Sequence, residues 1–275
     1  MPPALAVMAA TGRDLPASQA LARELGLPWL PAAGSPLDHA GEYAALLLVT
    51  GTRLALQPLP PTPAGGRKGR ASLPGPVAVD FGNPVMRHRR VAGQNELLGR
   101  AVGVTGRRRP RVLDATAGLG RDSFILADMG CVVTLCEREP VMAALLTWGL
   151  RAALASEDAW LAGVARRMCL LPGDARSRFD PDSRQADVIY LDPMFPPRDK
   201  RAAVKKDMAL FQLLLDSATA QQDAADLLSW ALQQDVARVV VKRPPRGEYL
   251  ADLPPSHSIS GKAVRFDVHV RRALD

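Results

Sequence analysis

The residues from 111 to 122, RVLDATAGLGRD, constrain the fold more than any other stretch of this chain. A short apolar run ends at Asp114, and a turn containing Gly118 and Gly120 leads into the helical sequence SFILADM. Glycines allow a tight backbone turn that approaches a ligand closely. A helix start adds unpaired N–H donors and the positive end of the helix dipole. The stretch therefore predicts a strand, a ligand-binding turn and a helix of an α/β sheet, with Asp114 and Gly118 as candidate ligand contacts.

Three later apolar runs also end at acids. The run CVVTLCE ends at Glu137, 23 residues after Asp114, while MCLLPGD reaches Asp174 and ADVIYLDP reaches Asp192. Open parallel sheets bind their ligands at the carboxyl ends of the strands. We therefore expect these four carboxylates to meet at one rim of a mostly parallel sheet.

The glycine turn restricts which ligand can bind there. It is not followed by the lysine of a phosphate-binding loop, and it lacks the third small residue of a dinucleotide fingerprint. A nucleoside without a pyrophosphate fits better, and S-adenosylmethionine is such a ligand. We expect Glu137 to accept the ribose hydroxyls, Asp174 to contact the adenine edge, and residues 118–122 to hold the amino-acid end. A nicotinamide-dependent oxidoreductase remains an alternative.

The sequence LDPMFP, at 191–196, carries the most specific chemical signal. It resembles the (Asp/Asn)-Pro-Pro-(Tyr/Phe) motif of methyltransferases that act on exocyclic amino groups of bases, with Met194 at the third position. Such an amine is a poor nucleophile, because its lone pair is delocalised into the ring. We predict Asp192 and the carbonyl of Pro193 as acceptors of its hydrogens, and Phe195 as a stacking platform worth about 1–3 kcal/mol. The alternative is a strand-ending turn followed by a core aromatic.

The chain has a formal net charge of +7, which favours an anionic partner. Its basic residues are clustered, and one cluster, Arg107–Arg109, precedes the first acid-ended strand. An ordinary solvated surface is the alternative for any such run. We predict contacts with RNA phosphates at seven positions: Arg87, Arg89, Arg90, Lys205, Lys206, Lys242 and Arg243.

The cysteines and the hydropathy pattern bound the compartment. Cys131, Cys136 and Cys169 lie in apolar runs without metal-ligand spacing, so we expect reduced core cysteines and no metal site. Apolar runs stay shorter than the roughly 18 residues of a membrane span, and the first residues do not resemble a targeting signal. We expect a cytoplasmic protein that does not engage a membrane.

The N-terminal part predicts a separate small unit. Residues 1–85 contain strand-like and helical segments and a loop at 58–76 rich in Pro, Gly, Arg and Lys. We expect residues 1–85 to form a small α/β subdomain, which could grip the substrate or only stabilise the fold. Residues 86–275 would then form the ligand-binding domain.

Several motifs together resemble one known family. DATAGLGRD, CEREP, LDPMFP, VKKDM, VVVKRP and GKAVRFDVHV are similar to the bacterial small-subunit ribosomal RNA guanine-N2 methyltransferases of the J type, over residues 77–272. The resemblance implies a Rossmann-like class I methyltransferase fold, with a seven-stranded, mostly parallel sheet whose last strand is antiparallel. It implies S-adenosylmethionine as the cofactor and 16S ribosomal RNA, or the small subunit, as the partner. It also implies cofactor contacts at Arg121, Asp122, Glu137, Arg138, Asp174, Ala175 and Asp192.

Three functions are therefore open beside the nicotinamide enzyme. The first is methylation of the 2-amino group of a specific guanosine in 16S ribosomal RNA. The second is amino methylation of another base or of DNA. The third is a non-catalytic assembly factor that binds ribosomal RNA. The sequence leaves the oligomeric state open.

Overall fold

The computed structural model describes residues 4–32, 34–60, 73, 75–90, 94–180, 185–193 and 220–274. The strands in these ranges are β1 (Leu5–Ala9), β2 (Trp29–Leu30), β3 (Ala45–Thr50), β4 (Arg53–Pro58), β5 (Arg111–Asp114), β6 (Val132–Glu137), β7 (Met168–Pro172), β8 (Val188–Leu191), β9 (Arg238–Arg243), β10 (His257–Ser260) and β11 (Arg265–Val270). The helices are α1 (Leu15–Leu25), α2 (Pro84–Arg90), α3 (Gln94–Val102), α4 (Arg121–Asp128), α5 (Pro140–Leu154), α6 (Ala159–Ala165), α7 (Ala175–Arg178) and α8 (Ala220–Gln233).

A seven-stranded sheet in the order β10-β11-β9-β8-β5-β6-β7 forms the centre of the larger unit. The five strands from β5 to β9 run parallel, and β11 runs antiparallel to both of its neighbours. This arrangement confirms the predicted mostly parallel sheet with a reversed last strand. Since the chain continues from β5 to β6 on one side and returns as β8 on the other, the strand order reverses beside β5. Such a switch point is where open α/β sheets bind ligands.

Both faces of this sheet are buried, which explains its continuous apolar strands. In β8, Val188 and Tyr190 pack into a core that contains Phe124 of α4. Ile189 and Leu191 point to the opposite face, where the core contains Leu228 of α8. The alternation of side chains along a strand thus serves two helical layers.

A four-stranded sheet in the order β2-β1-β3-β4 forms the N-terminal unit. Helix α1 packs on it and ends at Gly26, whose left-handed φ of 64° closes the helix. The sheet also shares a core with α5, in which Val7 and Leu56 join Leu145. The N-terminal unit therefore packs against helix α5 of the larger unit. The domain boundary at residue 85 stays a prediction.

One feature of the sequence analysis turns out differently. Cys131 and Cys136 are buried as expected, but Cys169 is exposed, because β7 is the edge strand of the large sheet. Within the described ranges, no helix combines the length and the apolar character that crossing a lipid bilayer requires.

Candidate active site

Three of the four acids predicted at the rim line one pocket at the carboxyl ends of β5, β6, β7 and β8. Six of the nine predicted cofactor residues line it: Gly118, Glu137, Arg138, Asp174, Ala175 and Asp192. Pro193, predicted to bind the target amine, also lines the pocket and is buried. The strand ends therefore converge as the sequence predicted.

Glu137 is anchored in the pocket by backbone groups. The N–H of Gly118 donates to its Oε2 at 2.7 Å, and the N–H of Glu139 donates to its Oε1 at 2.8 Å. Burial raises the pKa of Glu137, and these backbone hydrogen bonds oppose that shift. Each carboxylate oxygen can accept more than one hydrogen bond. Glu137 is thus held in place with acceptor capacity for a ligand hydroxyl.

Gly118 adopts a left-handed backbone conformation, with φ of +55°. An added Cβ would lie 3.6 Å from Cε of Met142, so space alone would tolerate a side chain. The positive φ is what favours glycine here. This conformation directs the Gly118 N–H toward Glu137 and couples the ends of β5 and β6.

Asp114 lies beneath the pocket and does not line it. Its side chain is 2% exposed and accepts hydrogen bonds from the Ser123 hydroxyl and, at 3.1 Å, from the Thr116 N–H. Burial raises its pKa to about 7, although both hydrogen bonds act in the opposite direction. Asp114 therefore ties the glycine turn to α4, and its geometry fits turn support better than the predicted cofactor contact.

Lys242 joins two of the predicted acids. Its Nζ donates to Asp122 Oδ2 and to Asp192 Oδ2, both at 2.7 Å. The Tyr190 hydroxyl, which is fully buried, donates to the same Asp122 oxygen at 2.7 Å. Burial opposes the charge of Lys242, but Asp192 and Asp122 outweigh it and raise the lysine pKa above its usual value. Asp122, Lys242 and Asp192 thus form one charged network.

The RNA contacts predicted for Lys242 and Arg243 do not agree with these positions. Lys242 points into the acid network, and Arg243 is 7% exposed, with its Nε donating to the Glu248 carbonyl at 2.9 Å. A side chain this buried cannot reach an RNA phosphate. The sequence did not reveal the role of Lys242. A basic pair at the end of a strand looks the same in the sequence whether its side chains face solvent or the protein interior.

Two arginines and two acids close another side of the pocket. Arg176 Nε donates to Asp174 Oδ1 at 2.9 Å, and its Nη2 reaches Asp223 Oδ1 at 2.8 Å. Arg138 donates to the second oxygen of Asp223 at 2.5 Å. The hydrogen bond from Arg176 lowers the pKa of Asp174. Sequence reasoning missed Arg176 and Asp223, since only folding brings α8 beside the end of β7.

The remaining predicted residues divide into three groups. The Arg87 side chain makes contacts within the protein. Its Nη2 lies 2.6 Å from Asp158 Oδ2, and its guanidinium lies over the Trp160 ring. Arg121 is exposed in the first turn of α4. The predictions for Phe195, Lys205 and Lys206 fall outside the described residues, as do those for the side chains of Arg89 and Arg90.

Comparison with known proteins places this chain in a family. A family model described as a putative SAM-dependent methyltransferase matches residues 41–271. The ribosomal RNA small subunit methyltransferase J of Thioalkalivibrio sulfidiphilus is 46% identical over 258 residues, which are 92% of each chain. The chain belongs to the methyltransferase J family. The predicted family and its cofactor, S-adenosylmethionine, are thereby confirmed.

Further similarities support the same assignment. The enzyme of the same name from Pseudomonas aeruginosa is 47% identical over 207 residues, which cover 74% of this chain and 77% of that protein. A crystal structure of a SAM-dependent methyltransferase from Neisseria gonorrhoeae superposes with a TM-score of 0.68 and 34% identity, covering 98% of this chain and 97% of that chain. These matches confirm the predicted Rossmann-like methyltransferase fold and favour it over the nicotinamide enzyme.

The chemistry of the pocket suits S-adenosylmethionine. Glu137, Asp174 and Asp192 give the lining a negative charge that attracts a sulfonium cation. The carboxylate of Glu137 can accept ribose hydroxyls, and Ala115 and Met142 offer apolar contact. Among the described residues, no cluster of His, Cys, Asp and Glu has the arrangement of a metal site.

Proposed function

We propose that this enzyme methylates the exocyclic 2-amino group of one guanosine in 16S ribosomal RNA. The small-subunit ribosomal RNA named for the curated relatives supports this substrate. The observation that carries the chemistry is the position of Asp192 and Pro193, an acceptor pair for an amine, in the same pocket as the anchored Glu137. We infer that its partner is the RNA or the small subunit and that it acts in the cytoplasm.

We assign the cofactor groups to the pocket residues as follows. Glu137 binds the ribose hydroxyls, Asp174 and Ala175 contact the adenine, and the turn that begins at Gly118 holds the amino-acid end. S-adenosylmethionine supplies an electrophilic methyl group when it is bound there. Asp114 and Asp122 act one layer further out, by fixing the turn and Lys242 respectively.

Asp192 and Pro193 act on the acceptor base. The Asp192 carboxylate and the Pro193 carbonyl accept hydrogens of the amine, which directs its lone pair away from the ring. Phe195 follows two residues later and stacks on the base in this proposal. Holding both reactants in the correct orientation lowers the barrier to such a transfer.

Lys242 positions Asp192 in this mechanism. The two 2.7 Å contacts of its Nζ hold Asp192 against Asp122, and Asp122 is held in turn by the Tyr190 hydroxyl. The Asp192 N–H also donates to the Thr116 hydroxyl at 2.6 Å. Asp192 is therefore fixed through its backbone and its side chain. Such preorganised groups need no reorganisation when the reaction occurs.

Mass spectrometry of ribosomal RNA tests the proposal. RNA from cells with and without this protein should differ by one methyl group on a guanine 2-amino group of 16S RNA. Purified enzyme and labelled S-adenosylmethionine should restore that group on RNA, or on small subunits, from the deficient cells. A methyl group found instead on adenine, on cytosine or on DNA would show that the enzyme acts on a different amino group. Binding of RNA without any transfer would favour an assembly factor.

A further inference from the structure

The parallel strands of the large sheet begin at the edge opposite the pocket. Basic residues from separate parts of the chain lie together there. Six of these residues lie in the loops and strand ends, and we call them the arginine edge: Arg107, Arg108, Arg109, Arg167, Arg238 and Arg271. None of the six was predicted to bind RNA. The predicted phosphate contacts fall elsewhere in the chain; of these, Lys242 is paired with Asp122 and Asp192, and Arg243 is buried.

Backbone hydrogen bonds join these segments into one continuous edge. The Asp187 N–H donates to the Arg111 carbonyl at 2.9 Å, and the Ala237 N–H donates to the Asp187 carbonyl at 2.8 Å. The Arg271 N–H then donates to the Ala237 carbonyl at 2.8 Å. On the other side of β5, the Val133 N–H donates to the Arg167 carbonyl at 2.8 Å. Arg109, Arg167 and Arg238 therefore lie at the starts of parallel strands, and Arg271 lies just after the end of the antiparallel strand β11.

The contacts of these arginines leave their charges in place. Arg167 Nε donates to the Ala127 carbonyl at 2.7 Å, and Arg238 Nη1 donates to the Ala101 carbonyl at 3.1 Å. Arg109 and Arg271 likewise donate to backbone carbonyls. A carbonyl orients a guanidinium without neutralising it. Four of the six guanidinium groups are thus held in place with their positive charge retained.

The carboxylates of the same segments are engaged elsewhere. The described segments are 104–111, 128–132, 166–168, 185–188, 234–238 and 270–274, and they contain three acids. Asp187 pairs with Arg111, and Asp235 lies 3.6 Å from Arg272. Asp128 accepts a hydrogen bond from the Trp160 indole at 2.7 Å. Neither ion pair involves an arginine of the edge.

Members of the arginine edge lie close enough to repel one another. The pKa of Arg238 is lowered by burial and, in addition, by the charge of Arg108. Arg109 and Arg167 both lie close enough to Cys131, the residue before β6, for their charges to lower the pKa of its thiol, which burial raises. Like charges held together in this way are relieved by a bound polyanion.

We propose that the arginine edge binds backbone phosphates of the structured RNA, at a segment other than the one that holds the target base. This proposal rests on the proposed function. Strands of four to six residues separate the two edges, a span of about 13–20 Å at about 3.3 Å per residue. Arginine suits this task, since its planar guanidinium matches a phosphate with two parallel hydrogen bonds. The acidic pocket edge offers phosphates much less attraction.

The double variant Arg107→Glu/Arg108→Glu tests the proposal. The turn that carries these residues is held by their backbone N–H groups, which donate to the Thr105 hydroxyl at 3.4 and 3.1 Å, so the substitutions preserve it. Filter binding to 16S RNA should weaken about tenfold, and the salt dependence of log affinity should fall by about 1.5. In methyl transfer to small subunits, KM should rise while kcat is retained.

A matched variant separates a local effect from overall charge. Arg13→Glu/Arg23→Glu makes the same charge change on the exposed surface of the N-terminal unit. Equal losses in both double variants, or an unchanged salt dependence in the first, would overturn the proposal. Arg107→Gln/Arg108→Gln serves if the charge reversal unfolds the protein, with circular dichroism as the check. Failure of the wild-type enzyme to methylate ribosomal RNA would instead overturn the proposed function.

Discussion

The carboxyl ends of the parallel strands, which form the pocket edge, and the opposite edge, where these strands start, arrange their charges in opposite ways. At the pocket edge, charges of both signs are joined by short contacts, as in the Lys242 bridge between Asp122 and Asp192. At the opposite edge, arginines such as Arg167 and Arg238 are held by backbone carbonyls. The comparison teaches that tightly paired charges of both signs suit a small ligand that needs exact orientation, even where acids are in excess. Charge of one sign suits a large polyanion that needs attraction.

Replacement of the acceptor carboxylate should affect the pocket edge most. Asp192→Asn removes a negative acceptor for the amine, and positioned groups of this kind contribute about 10²–10⁴-fold to the rate. We expect kcat for methyl transfer to fall by that range, while the affinity for S-adenosylmethionine stays within a few-fold. Asp226→Asn, an exposed aspartate on α8, is the control. Wild-type turnover in Asp192→Asn would remove Asp192 from the reaction.

Burial of an acid beneath the pocket should make the stability pH-dependent. In the folded state the pKa of Asp114 rises from 3.8 to about 7, so the folded state binds its proton more tightly than the unfolded state between those values. Its contribution to stability is therefore greatest at low pH and is lost as the pH rises toward 7. This loss is about 3 kcal/mol between pH 5 and pH 8.

Urea unfolding of wild type and Asp114→Asn at both pH values measures that contribution. The wild type should lose more stability than the variant over this interval, because asparagine does not titrate. Equal pH dependence in the two proteins would show that Asp114 is not the titrating group. The arginine edge should not contribute a comparable pH dependence of stability, because arginines stay protonated throughout this range.

The ribose contact should have the next largest effect. Glu137→Gln keeps the shape of the side chain but removes its charge, and a hydrogen bond to a charged group is worth about 1.5–3 kcal/mol. We expect the affinity for S-adenosylmethionine to fall about 10- to 100-fold in calorimetry. The exposed Glu157→Gln provides the matched control. Equal affinities for the two variants would contradict the ribose assignment.

The smallest of these effects concerns a positioning residue. Lys242→Met removes the cation between Asp122 and Asp192, and we expect kcat to fall about tenfold, in line with loss of a charged hydrogen bond. KM for S-adenosylmethionine should change little, and Lys242→Arg should recover part of the rate. Exposed Lys262→Met is the control. A variant that raises KM for RNA but keeps kcat would return Lys242 to the phosphate role.

The sequence predicted features that reside within single strand-turn-helix units. The acid at the end of β5, the positive-φ glycine turn and the acids after β6, β7 and β8 follow from local periodicity and turn chemistry. Because the carboxyl ends of parallel strands share one edge, the convergence of Glu137 and Asp192 could be deduced without coordinates.

Partnerships between distant segments were decided by the tertiary structure alone. β9 lies beside β8 in the sheet, and this neighbourhood brings Lys242 to Asp192. Helix α8 brings Asp223 to Arg176, although 47 residues separate them. The arginine edge likewise assembles from the starts of parallel strands and the end of the antiparallel β11. Local sequence restricts backbone conformation and side-chain face, whereas strand order and helix placement depend on packing of the whole core, which no single segment encodes.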